Sequence, residues 1–210
     1  MVKWLLCDPR VDPSINNGRI ICLATLYGQI DVVKLLLNDS RIDPTSENNY
    51  PLRIAAYEGH TTILKMLIDD PRIDATCEDN FIFQAASNRG HIDIVKLLLN
   101  DSRFDPLSNN NYAITIASYE GHLKVVEILL QDGRINFLDI QDKLLYNAAI
   151  MGHIHIVKLL LSQPDSYAII NTNLMEKIKK VTSRPKYNEI YDLLIGHRAI
   201  NSINDIDRDL

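Results

Sequence analysis

Residues 41–71 read RIDPTSENNYPLRIAAYEGHTTILKMLIDDP, and residues 72–102 restate the pattern as RIDATCEDNFIFQAASNRGHIDIVKLLLNDS. The step of 31 residues runs through the chain, because Gly28, Gly59, Gly90, Gly121 and Gly152 all stand on it. Arg10, Arg41, Arg72, Arg103 and Arg134 form a second column. Asp12, Asp43, Asp74 and Asp105 form a third, with Pro13, Pro44 and Pro106 beside it. His60, His91, His122 and His153 each follow the column glycine. A fixed period of this size is the signature of a repeat array, in which each unit is too small to bury its own apolar face and stacks on the next.

One unit shows why. In residues 41–71 the spacing predicts a first helix over Tyr50–Glu58: Asn49 stands at the N-cap, Pro51 fits the first turn, and Ala55 and Ala56 allow close approach of a neighbouring helix. Gly59 ends it in a left-handed conformation. A second helix, about Thr61 to Asp69, carries Ile63, Leu64, Leu67 and Ile68 as a single apolar stripe. In sister units the stripe ends in Leu97–Leu99 and Leu159–Leu161. Each buried leucine contributes about 1.5–3 kcal/mol, so the stripe is the main stabilising term. Between helix pairs lies an extended segment, Arg41-Ile42-Asp43-Pro44, then a polar stretch that reads as a hairpin finger. Asn17, Asn48 and Asn110 share a column there with Asp79 and Gln141, a column suited to a left-handed turn residue. Pro9, Pro71 and Pro164 punctuate the end of the second helix.

Composition is that of an ordinary folded chain: 210 residues, 46% hydrophobic and 23% charged. The net charge of −5 has the wrong sign for holding nucleic acid or anionic lipid by bulk attraction. Cys7, Cys22 and Cys77 form no CxxC pair, which points to a reducing, intracellular compartment. The apolar run Trp4-Leu5-Leu6-Cys7 is too short for a secretion signal, and no run approaches the roughly 18 residues of a membrane span.

Helix, Gly-His, helix with a leucine stripe, extended linker and turn resemble the ankyrin repeat, whose core reads roughly T-P-L-H-x-A-A-x-x-G-H-x-x-V-V-x-L-L-L. Residues 50–60, YPLRIAAYEGH, carry the likeness. The resemblance implies an all-α ankyrin-repeat solenoid, helix-turn-helix units with short hairpin fingers in a single elongated domain. Residues 1–9 are read as the second helix of a partial repeat. Five repeats follow at 10–40, 41–71, 72–102, 103–133 and 134–164. Residues 165–196 are a degenerate capping repeat with helices Met175–Val181 and Tyr187–Ile195, and 197–210 a polar tail. The period is shorter than the family's usual length of about 33, which tightens the linker. The family's Thr and His are replaced, by Arg19, Tyr50, Phe81, Tyr112 and Lys143 and by Cys22, Arg53, Gln84, Thr115 and Tyr146. The Arg-(Ile/Val)-Asp-Pro linker with Asn-rich turns resembles the ankyrin arrays of giant viruses and protists.

The residues that invite chemistry fall on repeat columns. The four histidines form a ladder instead of converging on a metal, and a role joining helix start to loop is the plainer reading. His153 and His155 face different sides of a helix. The arginine ladder has the look of a phosphate track, but Asp12, Asp43, Asp74 and Asp105 stand two residues along, and Arg–Asp pairing within or between repeats is the blander account. Lys177, Lys179, Lys180, Arg184 and Lys186 form the one locally basic stretch, read as a solvated face. No nucleophile–base pair or glycine-rich phosphate loop is present. The reading is therefore a non-catalytic scaffold with no cofactor or metal, binding a protein partner, with neither nucleic acid nor membrane. The chain is read as a monomer, with an end-to-end dimer through the Trp4-Leu5-Leu6 edge as an alternative. The functional alternatives are delivery of a partner to a ubiquitin ligase through Asn173–Ile195, or a purely structural, oligomerising repeat array.

The family resemblance places partner contacts on a concave face, at first-helix ends and finger tips. The helix-end residues are Leu26-Tyr27, Tyr57-Glu58, Asn88-Arg89, Tyr119-Glu120 and Ile150-Met151. The finger residues are Ile15-Asn16, Ser46-Glu47, Cys77-Glu78, Ser108-Asn109 and Asp139-Ile140. Tyr27, Tyr57 and Tyr119 stand out as rigid amphipathic anchors, against the alternative that their rings pack on adjacent repeats.

Overall fold

In every unit a glycine in left-handed conformation separates two helices. The computed structural model describes residues 2–8, 10–15, 18–164, 172–181 and 187–197, with the backbone alone at 2, 77–80, 172 and 181. All its regular elements are helices, and they sort into two compact units, Met1–Asp105 and Pro106–Leu210. The first holds α1 (Val2–Cys7), α2 (Arg19–Leu26), α3 (Ile30–Leu37), α4 (Ser46–Glu58), α5 (Thr61–Ile68), α6 (Cys77–Arg89) and α7 (Ile92–Leu99). Its first helices α2, α4 and α6 lie side by side, and α3, α5 and α7 form a second layer behind them. The second unit holds α8 (Ser108–Glu120), α9 (Leu123–Gln131), α10 (Phe137–Met151), α11 (Ile154–Leu161), α12 (Thr172–Val181) and a helix over 188–197, α13. There α8 packs on α10, and α10 on α12.

The cores are built from columns. Leu36, Leu67, Leu98, Leu129 and Leu160, one per second helix, are each 0% exposed. Ile63, Leu64, Leu67 and Ile68 are all buried, as the stripe requires. In the triple-leucine helices only the middle leucine is fully enclosed, and Leu97, Leu99, Leu159 and Leu161 are half-buried. The linker contributes more than punctuation. Ile42, Ile73, Phe104 and Ile135 are buried, and so are Pro13, Pro44 and Pro106.

Where a hairpin finger is expected, no strand forms among the described residues. Glu47, Asn48 and Asn49 instead take three consecutive left-handed conformations, with φ of 52°, 61° and 56°, and Asn109–Asn111 do the same. The amide of Asn49 donates to the carbonyl of Thr45 at 2.9 Å, closing one left-handed turn. Asparagine is among the side chains that tolerate this geometry, so Asn48 and Asn110 bear out the turn column. Gln141 does not share it. The preceding linker there is Asn136-Phe137 in place of Asp-Pro, and the position before Gln141 is β-branched Ile140. The Asn136 side chain accepts from the amide of Leu138, and α10 runs unbroken for 15 residues with Ile140 buried. Asn17 and the side chain of Asp79 lie outside the described residues.

Helix ends explain the two most regular columns. Gly59, at φ +82°, ends α4, and the His60 amide returns to the Ala55 carbonyl at 2.9 Å. Beyond that turn sits the histidine of the next repeat. His91 donates its Nε2–H to the Tyr57 carbonyl at 2.8 Å, and a Cβ at Gly59 would meet the His91 ring at 2.7 Å. His60 bonds the Leu26 carbonyl, and His153 the Tyr119 carbonyl, in the same way. In the second unit Tyr187 takes over this role, its hydroxyl donating to the Ile150 carbonyl at 3.0 Å.

Arginines serve the second helices. Arg41 grips Asp39 through Nε and Nη2, and its Nη1 and Nη2 also reach the carbonyls of Val11 at 3.1 Å, in the preceding linker, and Leu6 at 2.8 Å, at the end of α1. Arg72 does the same with Asp70, Ile42 and Leu37. Asp101–Arg103 and Asp132–Arg134 repeat the ion pair. This corrects the pairing expected from sequence: the bonded carboxylate lies two residues before the arginine, not two after. Asp12, Asp43 and Asp74 are engaged otherwise, accepting from the amide and hydroxyl of Ser14, Thr45 and Thr76. The Arg41 guanidinium and amide hold the Asp39 carboxyl well below its ordinary range, at about 2.

Two expectations follow. Gly59→Ala should lower the melting temperature more than Gly133→Ala, measured by circular dichroism. Both glycines have positive φ, costing about 1–2 kcal/mol for alanine, but nothing lies within 4 Å of a Cβ at Gly133. Equal losses would remove the histidine contact from the account. A carboxylate whose folded pKa is depressed stabilises above its unfolded pKa and loses that contribution as pH falls through the folded value. Stability should therefore drop between about pH 4 and the value of about 2 held by Asp39, and Asp39→Asn should make acid unfolding shallower.

Candidate functional site

Small residues bring the first helices together. Ala24, Ala55 and Ala86 are buried between α2, α4 and α6, as are Thr25, Ala56 and Ser87 in the next column. In the second unit Ala117 and Ala148 match them, and Ser118 donates its hydroxyl proton to the Leu144 carbonyl at 2.9 Å. Larger side chains on these helices are pushed outward, and they make the candidate surface.

On the first unit, Tyr57 is 42% exposed and the Arg89 guanidinium lies over its ring, 4.4 Å from the centroid. Arg53 lies over Phe81 at 4.8 Å. Leu26, Tyr50, Arg53, Ile54, Tyr57, Glu58 and Phe81 line a cleft of about 300 Å³. Tyr27 stands one position further along its helix than Tyr57 does, and is 69% exposed. Glu58 is exposed and Asn88 half-buried. On the second unit Tyr119, Glu120 and Met151 are exposed and Ile150 is half-buried. All three tyrosines are exposed, with Arg89 of the next repeat lying over the Tyr57 ring, and the carbonyls of Tyr57 and Tyr119 are taken by histidines.

The finger residues divide. Glu47 and Asn109 are exposed at the tips of left-handed turns. Ile140 is buried within α10 and leaves the candidate surface. Asn16 and the side chains of Cys77 and Glu78 lie outside the described residues. Tyr50, Arg53 and Phe81 were not foreseen as site residues. Their signal was present as departures from the family's Thr and His positions, where an aromatic or arginine replaces a short polar side chain.

Other candidates take structural places. Among the described residues no three His, Cys, Asp or Glu side chains converge on a metal-sized site. The linker arginines are committed to aspartates and helix-end carbonyls, which removes them as a phosphate track. On α12, Lys177, Lys179 and Lys180 are exposed while Leu174, Met175 and Ile178 are buried, and Arg184 and Lys186 lie outside the described residues. Burial pushes the Cys22 thiol pKa up, which makes it a poor nucleophile. No described helix is long and apolar enough to cross a membrane.

Comparison with known proteins agrees with the geometry. The family model described as ankyrin repeats (three copies) matches residues 1–79 and 82–174. A crystal structure of an ankyrin repeat domain from Acinetobacter baumannii AYE is similar with a TM-score of 0.60 and 22% identity, over 85% of this chain and 97% of that one. At that identity the likeness is one of fold. No curated protein matches the sequence. Ankyrin repeats generally mediate protein–protein interaction and are typically non-enzymatic. The matched segments span most of the sequence, and the chain belongs to the ankyrin repeat family.

Proposed function

We propose that this chain is a non-catalytic scaffold that holds a protein partner on its first-helix face, the face that is concave in the family. The observation that carries the reading is the set of aromatic side chains exposed on helices whose backbone is locked by the next repeat. Tyr57 and Arg89 on one unit and Tyr119 on the other are rigid, amphipathic and of the types enriched at binding hot spots. A pre-ordered surface loses little entropy on association. An intracellular setting fits the free thiols of Cys7 and Cys22, and the linker's likeness to giant-virus arrays would make that a host cell. Delivery to a ubiquitin ligase has less support, because α12 and α13 spend Leu174, Ile178, Ile190 and Leu194 on the core of their own unit.

Replacing Tyr57, Tyr119 and Arg89 together with alanine should weaken capture of the native partner at least about 30-fold, the scale of one strong hot spot. The melting temperature should stay within about 2 °C of wild type. Parallel loss of helicity and binding would sink the assignment. Trp4, 82% exposed, and Leu5 on α1 favour a second reading, in which another copy of the chain covers that edge. Sedimentation velocity should then show a dimer that Trp4→Ala converts to monomer, and a wild-type monomer at all concentrations would end that reading.

A further inference from the structure

The first-helix face of the unit Met1–Asp105 differs in charge from the chain around it. Residues 19–27, 50–58 and 81–89 carry Arg19, Arg53 and Arg89 against one carboxylate, Glu58, in a protein of net charge −5. The equivalent stretches of the other unit, 112–120 and 143–151, carry only Glu120 and Lys143. The basic character is therefore confined to these stretches, which hold the aromatic cleft, while Glu47, Glu78 and Asp79 stand at the finger ends of the same helices.

Arg89 differs from the linker arginines in what holds it. Those are gripped edge-on by aspartates, which consumes their N–H groups. Arg89 is placed instead with its guanidinium carbon over the Tyr57 ring, 4.4 Å from the centroid. A cation–π contact restrains a guanidinium without using its N–H groups as an ion pair does, and an arginine so restrained loses less entropy when it binds a carboxylate. Beside it, the cleft of about 300 Å³ is walled by Leu26, Tyr50, Ile54, Tyr57 and Phe81, with Arg53 and Glu58 completing its lining, a volume at the small end of ligand sites. Most of the walls are apolar and aromatic, the one carboxylate Glu58 shares the lining with the cation Arg53, and Arg89 stands beside them as a further cation over Tyr57.

We propose that this cleft docks an extended acidic–apolar peptide segment of the protein partner. One apolar side chain enters between Tyr50, Tyr57 and Phe81, and a flanking Asp or Glu pairs with Arg89. The proposal rests on the reading of the first-helix face as the partner surface, and adds the chemistry of what that surface takes. Charge complementarity selects the occupant: a basic segment would meet Arg53 and Arg89, and a purely acidic one would leave the aromatic walls uncovered.

The test is selection of a random 12-residue peptide library, displayed on phage, against the full chain and its Arg89→Glu variant. Wild type should enrich sequences with Asp or Glu within three residues of Leu, Phe, Trp or Met, and Arg89→Glu should not. A synthetic consensus peptide should bind at least 10-fold more weakly to Arg89→Glu and to Tyr57→Ala, each with unchanged circular dichroism. Replacing its carboxylates with alanine should cost the same, and added NaCl should weaken binding. Arg89→Lys should recover only part of the affinity. The proposal is overturned by a consensus without acids, by no enrichment, by equal affinity for Arg89→Glu, or by a 12-residue oligouridylate that displaces the peptide from the cleft. Acid-free peptides, together with a native partner lost in the triple alanine variant, would overturn this inference and leave the partner surface standing. If the partner is also retained by the triple variant, both fall.

Discussion

The histidine of one repeat presses against the glycine that ends the first helix of the repeat before it. His91 could not reach the Tyr57 carbonyl if residue 59 carried a side chain, because a Cβ there would stand 2.7 Å from the ring. The left-handed turn that ends α4 also needs glycine for conformational reasons. One residue type thus answers two demands, one inside its own repeat and one from the next. Neither the helix end nor the stacking distance can change without disturbing the other, so both columns recur so strictly.

Helix C-termini present carbonyls that their own helix cannot satisfy. In this chain later repeats supply many of the donors: a histidine of the next repeat for the first helix, and for the second an arginine from the linker that follows the next second helix. Arg72 reaches both Leu37 and Ile42 while Asp70 fixes its orientation. A repeat is therefore completed by those that follow it. At the C-terminal end of the series the histidine position passes to Tyr187, a longer side chain that delivers a hydroxyl to the Ile150 carbonyl from a helix that no longer follows the period.

Holding the backbone in this way releases the outer face from structural duty. The same residue type then has two fates. In the linker, Arg41 and Arg72 each bond an aspartate and two carbonyls and work as clasps between repeats. On the first-helix face, Arg89 lies over the ring of Tyr57 instead. Binding chemistry can vary there because stability has been settled elsewhere, by the leucine column and the helix-end donors.

Much of this was legible along the chain. Helix positions, the glycine turns and the buried Leu67 column follow from local rules: helical periodicity, the low cost of a positive φ at glycine, and apolar burial. The left-handed turn at Asn48 follows from side-chain tolerance, and the same rule, applied to Ile140, would have signalled the continuous helix that replaces the turn in α10. Other features depend on how repeats meet. Asp39 and Asp43 are equally near Arg41 in sequence, and only the path of the linker decides that Asp39 is gripped while Asp43 turns back to Thr45. The cleft joins Leu26, residues 50–58 and Phe81, about one period apart, into one wall. Periodicity determined that these helices exist and stack, since it is a property of neighbouring residues. Which side chains share a surface was decided by the tertiary structure, since that depends on the register and spacing between helices that no single repeat contains.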